Sequence, residues 1–166
     1  SMTEESDSEQ RIPIVFGTQV ATRSVVESDK EGMDNFTLWG WVRESDGPKL
    51  FFDAASVTPS GNYGEKRFWA VGRPYDFFAL HPEKMKEEGI AAEVSCNDKG
   101  ELRVTGFDSS GMGKDAVDLM TATETDVTYE GGGTMAPVLL AFKHELAQVK
   151  LTVRTGEKLA EVSDIR

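Results

Sequence analysis

Val138-Leu139-Leu140-Ala141-Phe142-Lys143-His144-Glu145-Leu146-Ala147-Gln148-Val149-Lys150-Leu151-Thr152-Val153 is the stretch on which the fold class turns. Its Leu and Ala content between Leu139 and Val149 would support one helix. Read with a period of two, Val138, Leu140, Phe142 and His144 share one face, and Val149, Leu151 and Val153 alternate with Gln148, Lys150, Thr152 and Arg154. The β-branched alternation at the end decides for two strands, with Glu145-Leu146-Ala147 breaking the register as a bulge or single turn.

Working outward, the same period recurs. Phe36, Leu38 and Val42 fall on one face, and Thr37, Trp39, Trp41 and Arg43 on the other. Ser45-Asp46-Gly47-Pro48 is a turn before the short strand Leu50-Phe51-Phe52, and Ser60-Gly61-Asn62-Tyr63-Gly64 is a turn before Arg67-Phe68-Trp69-Ala70. Tyr75 to Leu80 follows Pro74. Pro82 to Gly89 fits a short helix and an ordered loop equally well. Ile90–Cys96 and Leu102–Phe107 flank Asn97-Asp98-Lys99-Gly100 as a hairpin. Val117–Thr121 and Val127–Tyr129 are brief strands, and Gly131-Gly132-Gly133 is a connector. Near the start, Ile12, Ile14 and Phe16 alternate with Pro13 and Val15; Pro13 lacks an N–H, so this is an edge or first strand. Ser28 to Asn35 is a polar loop. The sum is roughly eight to ten short strands with turns about every 8–12 residues, the pattern of a sandwich or barrel.

The chain has 166 residues and a formal net charge of -11, with 39% hydrophobic residues. A domain of this size buries roughly two-thirds of its unfolded surface. The acidity argues against nucleic acid and against anionic lipid, both of which are bound through Lys and Arg. The longest apolar run, Met135 to Phe142, falls far short of the ~20 residues of a membrane-spanning helix. Residues 1–11 read as a disordered acidic tail carrying Glu4, Glu5, Asp7 and Glu9, with Ser1-Met2 as an expression scar before a trimmed start. Residues 12–166 read as a single β-sandwich domain. Cys96 is the lone cysteine, placed on a buried strand face with Ile90, Ala92 and Val94, where it packs as a small hydrophobe.

No motif for catalysis stands out. His81 and His144 lack partners at metal-ligand spacing, and His144 on an apolar face reads as a core or interface histidine. Gly111-Met112-Gly113-Lys114 is followed by Asp115 where a phosphate loop needs Ser or Thr. Asp108, Ser109 and Ser110 share a loop without forming a triad, and the acids Asp108, Asp115 and Asp118 lack the spacing of a twelve-residue calcium loop. No catalytic residue, metal or cofactor is therefore expected. Trp39, Trp41 and Trp69 admit two readings: an exposed platform for sugar stacking, or one half of a sandwich core, and the core is favoured.

Several stretches resemble, in order, the fimbrillin-like family of surface proteins from gut and oral anaerobes. The Val138–Val153 block is similar to the family's Phe-Lys-His-x-Leu-Ala strand pair. Ile14-Val15-Phe16 with Ala21-Thr22-Arg23-Ser24, Phe68-Trp69, Tyr75-Asp76-Phe77-Phe78-Ala79 with Pro82, and Asp118-Leu119-Met120-Thr121-Ala122 fit alongside it, over residues 12–154. The resemblance implies an all-β, transthyretin-like Greek-key β-sandwich of about seven to ten short strands, the N-terminal domain of a longer two-domain protein. It implies a lipoprotein precursor exported to the outer membrane, whose lipid anchor lies outside this chain, and a type V pilus stalk, anchor or tip subunit. It further implies assembly with other fimbrial subunits by donor-strand exchange after a trypsin-like protease removes the first strand.

The expectation is therefore a non-catalytic structural or adhesive subunit of a cell-surface fimbria, with host proteins or glycans as further candidate partners. Ile12, Ile14 and Phe16 are the candidate exchanged strand, and Arg23 is the candidate processing site; cutting at Arg11 would release only the tail. The alternative is a secreted carbohydrate-binding module using Trp39, Trp41 or Trp69.

Overall fold

The computed structural model describes residues 11–21, 26–27, 33–83, 93–105, 119–144, 151–155 and 158–162. Eleven strands run along them: β1 (Phe16–Ala21), β2 (Val26–Glu27), β3 (Phe36–Glu44), β4 (Gly47–Val57), β5 (Pro74–His81), β6 (Glu93–Cys96), β7 (Leu102–Thr105), β8 (Met120–Thr128), β9 (Val138–His144), β10 (Leu151–Thr155) and β11 (Lys158–Val162). Among the described residues there is no helix, and the fold is an all-β sandwich.

One sheet has the order β2-β1-β9-β8-β5-β3-β4 and a second the order β11-β10-β7-β6. The larger sheet turns a corner between β8 and β9, which pair only at Met120 with His144 and Thr121 with Lys143. Beyond that corner β2, β1 and β9 fold over the four strands β8, β5, β3 and β4. The core fills the space between: Phe16 of β1 meets Phe77 of β5 edge-on at 5.2 Å, and Phe142 of β9 meets Phe36 of β3 at 4.9 Å. Edge-on aromatic pairs of this kind add about 0.5–1.5 kcal/mol each beyond their burial.

Period two explains the layering. Phe36, Leu38 and Val42 of β3 and Tyr75, Phe77 and Ala79 of β5 all enter the core. Gly40 continues the inward row, and its lack of a side chain is required, because a Cβ there would lie 2.8 Å from the Phe52 ring and 3.2 Å from that of Phe77. Trp39, Phe78 and Leu80 are buried too, on the opposite face of the same strands and outside this cluster. The β6–β7 turn lies over them, with Gly100 set against the Phe78 ring. That hairpin forms where expected. Asn97 N–H donates to Glu101 O at 3.0 Å, Gly100 takes φ +85°, and the Asn97 side-chain oxygen accepts from Lys99 and Glu101 N–H at 2.9 Å.

Several expectations shift. Leu50-Phe51-Phe52 is only the middle of β4, which runs from Gly47 to Val57 by absorbing two register shifts against β3, with Ala54 at φ +54° beside one of them. Arg67-Phe68-Trp69-Ala70 makes a single bridge rather than a strand. Val127 belongs to one continuous strand with Met120, although Thr123 to Asp126 are exposed. Residues 138–144 and 151–155 are two strands in different sheets, as the alternation predicts, but His144 is exposed rather than buried. The tail over 1–10, Arg23, Ser28 to Gly32, most of Pro82–Gly89, Ile90, Ala92, the loop bearing Asp108, Asp115 and Asp118, Val117, and Glu145–Val149 lie outside the described residues.

Candidate functional site: the groove of the first strand

The expected first strand, Ile12, Ile14 and Phe16, continues into β1 as one inward row. Ile14 and Phe16 are buried, Ile12 and Val20 pack against the core, and Thr18 between them is 4% exposed. Phe16 meets Phe52, Tyr63 and Phe77 at ring separations of 5.8, 5.6 and 5.2 Å. Side chains of one terminal segment thus complete a core whose other walls come from β3, β4, β5 and β9.

Both backbone edges of this segment are engaged. On one side β1 pairs in parallel with β9, from Phe16 opposite Val138 to Val20 opposite Phe142, and Val138 N–H donates to Val15 O at 2.7 Å. On the other, Ile14 N–H donates to Arg67 O at 2.7 Å and Trp69 N–H to Ile12 O at 3.0 Å, and β2 takes over at Val20 and Ala21. Pro13 faces Phe68 at the pair where neither residue donates to the other, so its missing N–H costs no ladder bond. Ile12 and Ile14 precede β1, which begins at Phe16, and are held by the backbone of Arg67 and Trp69, while at Val20 the strand has β9 on one side and β2 on the other. Arg11 stacks its guanidinium 4.1 Å over the Phe68 ring.

The three indoles differ in exposure. Trp39 is 2% exposed and Trp69 6%, so neither offers a ring face to a sugar; Trp41 is half-buried beside Asp76 in the β3–β5 ladder. Trp69 is in the core, edge-on to Tyr75 at 5.0 Å, in keeping with the core reading.

Other chemistry-bearing groups are built into the frame. His81 is buried and its Nε2 accepts from Asp34 N–H at 3.0 Å, which places the proton of the neutral ring on Nδ1. Cys96 is buried, and burial, helped by Glu101, pushes its thiol up to about 12, far from a reactive thiolate. Asp76 is buried and accepts a fork from Arg43, at 3.0 Å from Nε and 2.7 Å from Nη2, plus Asp126 N–H at 2.8 Å. Arg43 also reaches Asp126 Oδ1 at 3.1 Å, and these partners, the Asp76 hydrogen bonds foremost, hold its pKa above the ordinary value. This cluster ties β3, β5 and β8 across the sheet. Among the described residues no group of three or more His, Cys, Asp or Glu could hold a metal ion.

The residues that composition and periodicity leave unmarked are Thr18, Tyr63 and Arg67. Tyr63 OH donates to Ile14 O at 2.6 Å and Thr18 Oγ1 to Pro59 O at 2.6 Å. Their partners are backbone carbonyls distant in sequence, which no spacing rule exposes. Tyr63 shows only as the aromatic residue of a turn with two glycines.

A search of curated proteins and a search of solved structures each return no match. A model of the family described as fimbrillin-like matches residues 22–166, most of the chain. The chain therefore belongs to the fimbrillin-like family, a family of fimbrial subunits of the cell surface.

Proposed function

We propose that this protein is a non-catalytic structural or adhesive subunit that assembles by strand exchange. A trypsin-like protease cuts after Arg23, the segment carrying Ile12, Ile14, Phe16 and the rest of β1 leaves, and a strand of another fimbrial subunit enters the groove. The chain reaches the outer membrane as a lipoprotein precursor, and its sandwich has the transthyretin-like Greek-key plan.

One observation carries the reading. The inward row Ile14, Phe16 and Thr18 fills the core, and β1 is joined to the strands that follow it through the connection after Ala21. Arg23 stands two residues beyond that end. A single cut there would turn an intramolecular strand into an exchangeable one, and its loss would open an apolar groove with unpaired backbone on β9, the requirements for strand addition.

Trypsin-like digestion of the folded protein, read by mass spectrometry and by gels in mild denaturant, tests this. The expected result is an early cut after Arg23 followed by ladders of subunits that resist the denaturant. An intact Arg23 while other basic sites are nicked, or a cut protein that stays monomeric, defeats the proposal.

A further inference from the structure

The edge of β1 that faces away from β9 is not left open between Ile14 and Val20. The segment from Pro59 to Trp69 lies along it. Trp69 N–H and Arg67 O bond the backbone of Ile12 and Ile14, the Tyr63 hydroxyl donates to Ile14 O, and Thr18 Oγ1 donates to Pro59 O. Gly61 closes the middle: it takes φ +94°, and a Cβ there would lie 2.2 Å from Phe16 O, so only a glycine lets the segment press this close.

The segment is organised by contacts of its own, independently of β1. Gly61 N–H donates to Thr58 O at 2.8 Å, Thr58 N–H to Asn62 O at 2.9 Å, and Gly64 N–H to Asn62 Oδ1 at 2.9 Å. Arg67 N–H donates to the Tyr63 hydroxyl at 3.1 Å, which orients that hydroxyl toward Ile14. The Arg67 guanidinium lies 3.8 Å over the Phe51 ring, fixing the far end to β4. A pre-shaped element thus sits on the free edge of the strand and bonds it at Ile12, Ile14 and Thr18.

We infer that Pro59–Trp69 is a clasp that gates the groove, limiting how readily β1 leaves and favouring a hydroxyl residue at the position of Thr18 in whatever strand occupies it. This rests on the strand-exchange reading and specifies its regulation and partner. The hydroxyl preference follows from burial. Thr18 is 4% exposed, so an aliphatic residue of the same shape would leave the Pro59 carbonyl facing apolar surface without its donor. A fitting strand therefore alternates large apolar residues at the places of Ile12, Ile14, Phe16 and Val20 with Ser or Thr at that of Thr18.

Hydrogen–deuterium exchange on the full, uncut chain tests the clasp without needing cleavage or polymer. Tyr63→Phe keeps the ring that meets Phe16 and Phe52 but removes the hydroxyl. Thr18→Val removes the second bond, and Thr18→Ser restores it. The expected result is amide exchange over residues 12–21 that is roughly fivefold faster in Tyr63→Phe and Thr18→Val, the factor matching the net contribution of one hydrogen bond, and near wild type in Thr18→Ser. Peptides from β3 and β5 should keep their wild-type rates. Unchanged exchange over 12–21, equal acceleration in β3 and β5, or no rescue by Ser overturns the clasp, as does a Tyr63→Phe chain that does not fold. A clasp that passes while Arg23 resists cleavage would leave the gate standing and strike the exchange reading alone.

Discussion

Cys96 sits at the end of β6 with its thiol closed off from water, and the consequence is a measurable pH dependence. Burial, with Glu101 adding to it, raises the thiol from an ordinary 9.0 to about 12. Above pH ~9 the unfolded chain gives up this proton while the folded chain keeps it, so stability falls with rising pH, by roughly 1.4 kcal/mol at pH ~10. Cys96→Ala removes that dependence. The urea midpoints of wild type and variant should therefore converge between neutral pH and pH ~10, whereas a constant gap would mean that the thiol ionises as freely folded as unfolded. The thiol's burial was legible, since Cys96 falls on an alternating apolar face. The bond network of Asp76 was not. Only the pairing of β3 with β5 and of β5 with β8 brings Arg43 and Asp126 onto that residue.

At the scale of elements, alternation located β3 and β9, whose inward rows Phe36, Leu38, Val42 and Val138, Leu140, Phe142 the core claims. It failed where both faces are special. β8 carries Thr123 to Asp126 on exposed positions and so lacks a continuous apolar row, and β4 hides its length behind two register shifts. The segment Arg67–Ala70 has strand composition but spends it on one bridge to Pro13 and on the core position of Trp69. Turn chemistry was the firmest local signal, and Gly100 shows why. It needs φ +85°, and a Cβ would lie 2.6 Å from the Phe78 ring. Gly100→Ala should therefore cost about 1–3 kcal/mol, combining left-handed strain with overpacking of an aromatic ring. Thermal unfolding checks this; a loss near zero would mean that the hairpin does not bear on Phe78.

For the whole molecule the governing quantity is charge. The chain carries -11, and removing residues 1–23 takes away four acids and two arginines, so the processed subunit stays strongly acidic. Subunits of like charge must approach closely before a strand of one can enter the groove of another, and their mutual repulsion slows that encounter without altering the apolar contacts made afterwards. Screening shortens the range of the repulsion to about 10 Å at ~0.1 M salt and about 3 Å at ~1 M. Chain association after cleavage should thus accelerate as salt is raised from ~0.01 M to ~0.15 M, while the denaturant resistance of the finished ladder changes little. Light scattering of the cleaved protein across that range measures the first, and gels in mild denaturant measure the second. Association that slows with salt would place attractive charge pairs at the contact, and the encounter would then be steered by complementary patches rather than hindered by net charge.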